Sequence, residues 1–358
     1  MKVLQIITSL SVGGAEKLIA DSVPLYQNKA LEMDVLCLNN RKTPFWINLE
    51  NNSSGKVIGL TSKSIYNPFL VFKIIPYLKK YDIVHLHLFP TLYWVVIAKY
   101  ISFSKIKLVY TEHSTNNRRR EKQIFKLIDR IIYKKLDKII CITDGVKKNL
   151  ETHLKFEKGI SVINNGINTN QFEAVIKNET FNFFKKEDFK LIQVSSFRKQ
   201  KDQVTLIRSL RHLPNNVKLI LVGEGDLIDK NKKLTEELGL HDRVVFLGNR
   251  FDIPELLQYS DVVVLSSEYE GFGLAIVEGM ASGKPVIASN IDGVKEIVEG
   301  YGLLFEKGND EELAQLIYKL FDDIEFYHKN AQQCLERSKD FSINKMIKSY
   351  INIYKSLL

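Results

Sequence analysis

Glu270 and Glu278 stand eight positions apart, with Gly271-Phe272-Gly273 between them and an apolar run, Leu274 to Ala281, beginning inside the interval. That run is rich in good helix formers and predicts a helix carrying Glu278 on its outer face. Asp261 to Leu265 predicts a buried strand, which makes Ser266 to Gly273 the turn at the strand's carboxyl end. In open α/β sheets ligands collect at the carboxyl ends of strands, and helix N-termini attract phosphate. Eight residues span about two helical turns. One carboxylate then hangs beside a phosphate position, and the other reaches hydroxyls farther along the helix. The pair suits a nucleotide-linked polyol; solvated acids on a surface are the competing explanation.

Other turns carry groups of the same kind. Ser195-Ser196-Phe197-Arg198-Lys199-Gln200-Lys201 follows the predicted strand Leu191 to Val194. Arg offers a planar fork and Lys a point charge, a pair fitted to a pyrophosphate on the sheet edge that also bears Glu270. Gly223-Glu224-Gly225-Asp226 closes the next strand and predicts a close backbone approach to a ligand, or a plain turn. At the start of the chain, Thr8 to Glu16 places Gly13-Gly14 between a strand and a helix, where amides can meet phosphate. It lacks the G-x-G-x-x-G and P-loop patterns. His113, just past the strand Leu108 to Tyr110, is placed to bond a substrate hydroxyl or to serve the structure. His85 and His87 are read as facing opposite sides of their strand, which rules out a metal pair; no third ligand or other metal spacing is present.

These turns need parallel sheets to carry them. Strand-like runs alternate with helical periodicity from Val3 to Phe305, and polar, aperiodic sequence interrupts them between Asn164 and Asp188. The expectation is two α/β domains, 1–170 and 189–342, a linker at 171–188, and a last helix from Ile343 to Leu358 that returns to the first domain with Met346, Ile347, Tyr350 and Tyr354 on one side. Three scattered cysteines exclude a disulfide framework and favour a reducing cytoplasm. The strand at the N-terminus leaves no signal peptide, and the longest apolar run is too short to span a bilayer.

Charge is uneven. Residues 1–175 hold 26 Lys and Arg against 14 Asp and Glu, or +12; the rest hold 25 against 28, or −3. The basic half faces something anionic: lipid, a phosphate-bearing substrate or nucleic acid. From Arg118 to Lys138, Ile124, Leu127, Ile128 and Ile131 define one helical face and Lys122, Lys126, Arg130 and Lys134 the others. Such a helix suits an anionic membrane surface, or packs on its own sheet with a solvated basic rim.

Taken together these residues resemble glycosyltransferase family 4, retaining nucleotide-sugar transferases of the two-domain, Rossmann-like GT-B fold. The likeness covers the whole chain and is strongest from Leu191 to Val298, where the basic turn ending in Lys201, Gly223-Glu-Gly, Val245-Phe-Leu-Gly248, Asp261, Ser266, Glu270 to Glu278 and Gly283-Lys-Pro-Val recur in the family's order. The resemblance implies two parallel-sheet domains facing across a cleft. It implies that Glu278 holds the donor ribose, Glu270 the sugar ring, and the backbone from Gly271 and Phe272 through Gly273, Leu274 and Ala275 the pyrophosphate, with Lys201. It sets Arg250 against the base, Gly13 and Gly14 toward a donor phosphate, and His113 near the donor sugar. Gly223 joins the donor-binding set. Ser196 stands where members often have Arg, with Arg198 two places on, and Asp226 stands where Pro is usual.

The implied reaction moves a sugar, with retention, from a nucleotide diphosphate sugar such as a UDP-sugar to a glycan or lipid-linked acceptor of bacterial surface polysaccharide. It needs no metal or other cofactor, since no Asp-x-Asp is present and Lys201, Arg198 and helix amides can meet the leaving charge. Glu270 then orients rather than attacks. Two other classes remain: an epimerase or phosphorylase of the same fold, and a nucleic-acid-binding protein, for which no aromatic-rich basic module is found.

Overall fold

The computed structural model describes residues 1–27, 29, 31–115, 118–157, 159–173 and 181–358. Residues 174–180, inside the stretch read as the linker, lie outside it. The chain forms two compact units, one of residues 1–166 with 343–358 and one of residues 167–342.

The first unit holds seven parallel strands: β1 (Lys2–Ile7), β2 (Glu32–Asn39), β3 (Val57–Thr61), β4 (Ile83–His87), β5 (Lys107–Glu112), β6 (Lys138–Cys141) and β7 (Ile160–Val162), in the order β3-β2-β1-β4-β5-β6-β7. The order reverses between β1 and β4, so this sheet's ligand position lies at the carboxyl ends of those strands. One face of the sheet carries Val3, Ile7, Val35, Ile83, Val109 and Ile140 in a shared core with Ile343, Met346, Ile347, Tyr350 and Tyr354 of the Ile343–Leu357 helix. The helix belongs to this unit because its 3.6-residue stripe of large side chains finds an apolar sheet face there.

The second unit holds six parallel strands: β8 (Phe189–Val194), β9 (Val217–Val222), β10 (Val244–Phe246), β11 (Val262–Leu265), β12 (Val286–Ser289) and β13 (Leu303–Phe305), in the order β10-β9-β8-β11-β12-β13. Its reversal falls between β8 and β11. The turns that follow these two strands are the Arg198–Lys201 and Ser266–Gly273 segments. The β11 and β12 runs are buried along their whole length, as parallel strands covered on both faces must be.

Candidate active site

At the β8/β11 reversal the structure brings two predicted residues into contact. The Lys201 ammonium forms an ion pair with Glu270 Oε1, and the Ser267 hydroxyl donates to the same oxygen at 2.9 Å. Both side chains are mostly covered, with 16% and 11% of their surface left to solvent. The turns beneath are tied together by Glu268 N–H to Gln200 O at 2.8 Å and by Ser266 Oγ to Gln193 Oε1 at 3.0 Å and Asp202 O at 2.7 Å. A cation and a carboxylate are thus held at the place where an α/β sheet receives its ligand.

Gly273 takes φ of +80° and starts the helix Leu274–Ala281. Phe272 is buried and meets Phe341 edge-on, with ring centroids 5.4 Å apart. It anchors the loop from inside. Gly293 backs the same loop: a Cβ there would lie 2.5 Å from the Glu270 carbonyl oxygen. Glu278 is not on an outer face as expected. It is 4% exposed, because the helix is covered on all sides and buries Ile276, Val277, Gly279, Met280 and Ala281 as well. A carboxylate buried to this degree demands polar partners.

The Gly223–Asp226 turn makes a close backbone approach. Gly223 and Gly225 have φ of +131° and +154°, and Cβ atoms there would lie 2.1 Å from Ser195 O and 2.5 Å from Phe197 O. The close approach is to the neighbouring turn. Phe197 N–H donates to Glu224 O, Leu227 N–H to Phe197 O, and Gly223 N–H to Gly248 O, so three successive strand ends are laced by backbone bonds. Phe197 is buried while Arg198 and Lys199 project outward and are exposed. Arg250 turns to Asp252, donating Nε to Oδ1 at 2.8 Å and pairing through Nη2, which holds the Asp252 carboxyl below its ordinary range.

In the first unit Gly14 begins the Gly14–Gln27 helix at the end of β1, and the Glu16 carboxylate folds over Gly13, where a Cβ would sit 2.4 Å from Oε2. An acid in the first turn complements the helix N-terminus. His113 lies one residue beyond β5, with Nε2 at 2.9 Å from His87 Nδ1. His85 and His87 share a face, contrary to the reading above: strand side chains alternate, so residues two apart point the same way. Their rings are 4.2 Å apart. His87 Nε2 meets Gln5 Oε1 at 2.7 Å, His85 Nδ1 meets the Tyr354 hydroxyl at 2.6 Å, and His85 Nε2 meets Thr111 Oγ1 at 2.7 Å. Burial pushes all three rings toward neutrality, His85 to about 3, His113 to about 4 and His87 well down. Among the described residues no group of three His, Cys, Asp or Glu side chains is arranged to hold a metal.

Sequence reading missed Gln5, Thr111, Tyr350 and Tyr354 as part of this cluster. A signal existed. Strands buried on both faces read as unbroken apolar runs, and Gln5, His85, His87 and Thr111 interrupt theirs on one common parity.

The basic stretch is a 3₁₀ turn, Arg118–Glu121, followed by the helix Gln123–Tyr133. Arg120 is buried against Glu112, which also accepts from the Tyr133 hydroxyl at 2.8 Å. The helix is inverted. Ile124, Leu127 and Ile131 are 60%, 57% and 55% exposed. Asp129 is wholly buried, accepting from the Tyr93 hydroxyl at 2.5 Å and lying 2.8 Å from His153 Nε2. Among the described residues no helix is long and apolar enough to cross a membrane.

With this geometry in hand, comparisons place the chain among known proteins. Residues 12–171 match the model for Glycosyltransferase Family 4, and residues 176–337 match that for Glycosyl transferases group 1. The chain is 29% identical to the N-acetyl-alpha-D-glucosaminyl L-malate synthase of Bacillus anthracis, over 77% of this chain and 75% of that one. It is 28% identical to the Escherichia coli UDP-Gal:alpha-D-GlcNAc-diphosphoundecaprenol alpha-1,3-galactosyltransferase, over 77% and 76%. The crystal structure of Anabaena HepE in complex with UDP-glucose superposes with a TM-score of 0.89 and 25% identity, covering 99% of this chain and 100% of that one.

Proposed function

We propose a function from one premise: the chain belongs to the group 1 and family 4 glycosyltransferases of GT-B fold, and is an enzyme that transfers a sugar. The proposed reaction takes a sugar from a UDP-sugar to a hydroxyl of a glycan or lipid-linked glycan, with retention at the anomeric carbon. The observation that carries the donor assignment is the Lys201–Glu270 pair at the β8/β11 reversal. The Anabaena neighbour's complexes with UDP and UDP-glucose support uracil as the base.

In this reading Lys201, exposed Arg198 and the backbone amides at Gly271 to Ala275 meet the diphosphate. Glu278 takes the ribose hydroxyls, Glu270 a hydroxyl of the sugar ring, and Arg250 the base edge. Gly223 shapes the turn behind them. Within the first unit His113 bonds a sugar hydroxyl and Gly13-Gly14 offer amides to a phosphate oxygen. As the bond from the anomeric carbon to the diphosphate oxygen breaks, the acceptor oxygen attacks from the same face and its proton passes to the departing phosphate. The growing negative charge is met by Lys201, Arg198 and oriented amides, which is where such catalysis gains most, and no metal is assigned a role. Turnover of a panel of nucleotide sugars with and without candidate acceptors tests the reading: release of UDP that depends on an acceptor supports it. Conversion of donor with no acceptor, or dependence on inorganic phosphate, contradicts it.

The acceptor is proposed to be lipid-linked, at an anionic membrane face. The inverted helix supports this. Ile124, Leu127 and Ile131 leave 60%, 57% and 55% of their surface outside, which forgoes roughly half of the ~1.5–3 kcal/mol that full burial of each brings and which a lipid contact would recover. Residues 56–138 also hold 17 Lys and Arg against 5 Asp and Glu, of which Glu112 and Asp129 are buried. The Escherichia coli relative's name includes a diphosphoundecaprenol-linked acceptor. Flotation with anionic liposomes but not neutral ones is the expected result, and indifference to lipid charge would count against it.

A further inference from the structure

We infer that His87 and Gln5 are positioning residues that hold His113 as its Nε2–H tautomer and so present His113 Nδ1 as a hydrogen-bond acceptor. Its consequence for catalysis rests on the reading of His113 as a sugar-facing residue; the tautomer rests on hydrogen bonds alone.

The argument starts at Gln5. Its Nε2 lies 3.5 Å from Met33 Sδ and 3.3 Å from the Tyr354 hydroxyl. A thioether sulfur only accepts, so the amide nitrogen belongs on that side and Oε1 faces His87 Nε2. A carbonyl oxygen only accepts, so His87 Nε2 carries the hydrogen. Among the described residues the His87 ring meets His85, His113 and Gln5, none of them a carboxylate. A buried ring without an anion stays neutral and has one N–H. Its Nδ1 is therefore a lone pair, and the 2.9 Å contact can only be a bond donated by His113 Nε2. Neutral His113 then has its lone pair at Nδ1.

The network continues below. Tyr354 accepts from Gln5 and meets His85 Nδ1 at 2.6 Å, and His85 Nε2 meets Thr111 Oγ1 at 2.7 Å. Thr111 in turn meets the Tyr350 hydroxyl at 3.1 Å. The Ile343–Leu357 helix thus fixes the rotor that orients Gln5. Among the described residues the charged groups beside the network are Glu112, next to His113 in the chain, and Arg120, and these two pair with each other. Burial outweighs the upward push of Glu112 on His113 and keeps that ring neutral above about pH 4.

The direct test is long-range ¹H–¹⁵N correlation on the full-length protein labelled in histidine. The expected spectrum shows His113 Nε2 protonated and Nδ1 bare at neutral pH; a protonated Nδ1 would overturn the inference. Gln5→Glu supplies the functional arm. Its carboxylate still accepts from His87 Nε2–H but draws a second proton onto His87 Nδ1 as pH falls, which forces His113 to accept at Nε2 and donate at Nδ1. Wild-type kcat should show no histidine limb between pH 8 and 5, while Gln5→Glu should lose about tenfold or more over that range with donor KM little changed, in step with the tautomer shift. His87→Ala should lower kcat about 10–100-fold, and His87→Asn, whose Oδ1 stands in the place of Nδ1 and accepts from His113, should recover most of it. Equal loss in both His87 variants with folding intact contradicts positioning. Should the tautomer be as stated and His113→Ala keep full activity, the inference holds and the sugar-facing reading of His113 fails.

Discussion

The two sheets reverse order at equivalent places, yet their carboxyl edges are built from different materials. Along the β10–β9–β8–β11 edge main-chain groups carry most of the ties, Phe197 to Glu224, Gly223 to Gly248, Glu268 to Gln200 and the Ser266 hydroxyl to Asp202 O, with positive-φ glycines letting carbonyls close together. One ion pair, Lys201–Glu270, stands on that frame. At β1/β4 the joinery is side chain to side chain, Gln5 to His87 to His113 and Tyr354 to His85 to Thr111. A backbone frame fixes positions and leaves the side chains for a charged ligand. A buried network of neutral rings fixes proton positions and suits a group that must accept or donate one specific hydrogen bond. In the proposed function the first edge is the charge-handling side and the second the side that orients a hydroxyl.

The largest expected effect separates the edges by function. Glu270→Ala should lower transfer by about 10³-fold, as loss of a preorganised electrostatic partner does. A variant enzyme within tenfold of wild type would remove Glu270 from the charge-handling side. The next comparison is pH. The three buried rings fold neutral, with values below the ordinary 6.5. Above pH 6.5 neither folded nor unfolded rings are charged and there is no penalty. As pH falls below 6.5 the unfolded chain binds protons that the fold does not, so stability drops, by about 2 kcal/mol at pH 5 for each of His85 and His113, with His87 acting in the same direction. Hydrogen exchange at pH 7 and pH 5 should show the first unit loosening while β8–β13 change little; equal loosening of both would contradict the contrast. Third, Gly225→Ala should cost on the order of 2 kcal/mol, read as a lowered Tm, because its Cβ meets Phe197 O at 2.5 Å in a backbone conformation alanine avoids. An unchanged Tm would show that the lacing yields. The smallest effect is on stability at Leu127→Glu, within about 0.5 kcal/mol of wild type because the side chain is 57% exposed. The same variant should lose flotation with anionic liposomes.

The same contrast explains what was legible. The β8–β13 edge announced itself because buried parallel strands are apolar runs, and its turns carry glycine, cation and acid in the order of the resembled family; β11 and Leu274–Ala281 fall where the runs end. The part of that edge misjudged was depth. Glu278 looked like an outer-face acid because charge usually marks solvent, but coverage of that helix is decided by elements distant in sequence. At β1/β4 the failure was one of parity, since His85 and His87 lie two apart and share a face. Their partners come from Gln5 and Tyr354, separated by most of the chain, and no local pattern links them. The Gln123–Tyr133 helix shows the remaining gap. Its periodicity was plain, but which stripe faces inward is set by Tyr93 and His153 waiting for Asp129.

Titration of UDP into the wild type, Lys201→Ala and Glu270→Ala tests the central claim most directly. If the pair at the β8/β11 reversal is the diphosphate site, Lys201→Ala should weaken UDP about tenfold or more, as loss of a charge-assisted contact would. Glu270→Ala, which releases Lys201 from its carboxylate, should bind UDP at least as tightly as the wild type while transferring sugar about 10³-fold more slowly. UDP affinity that ignores Lys201→Ala, or that falls in parallel for both variants, would contradict the account.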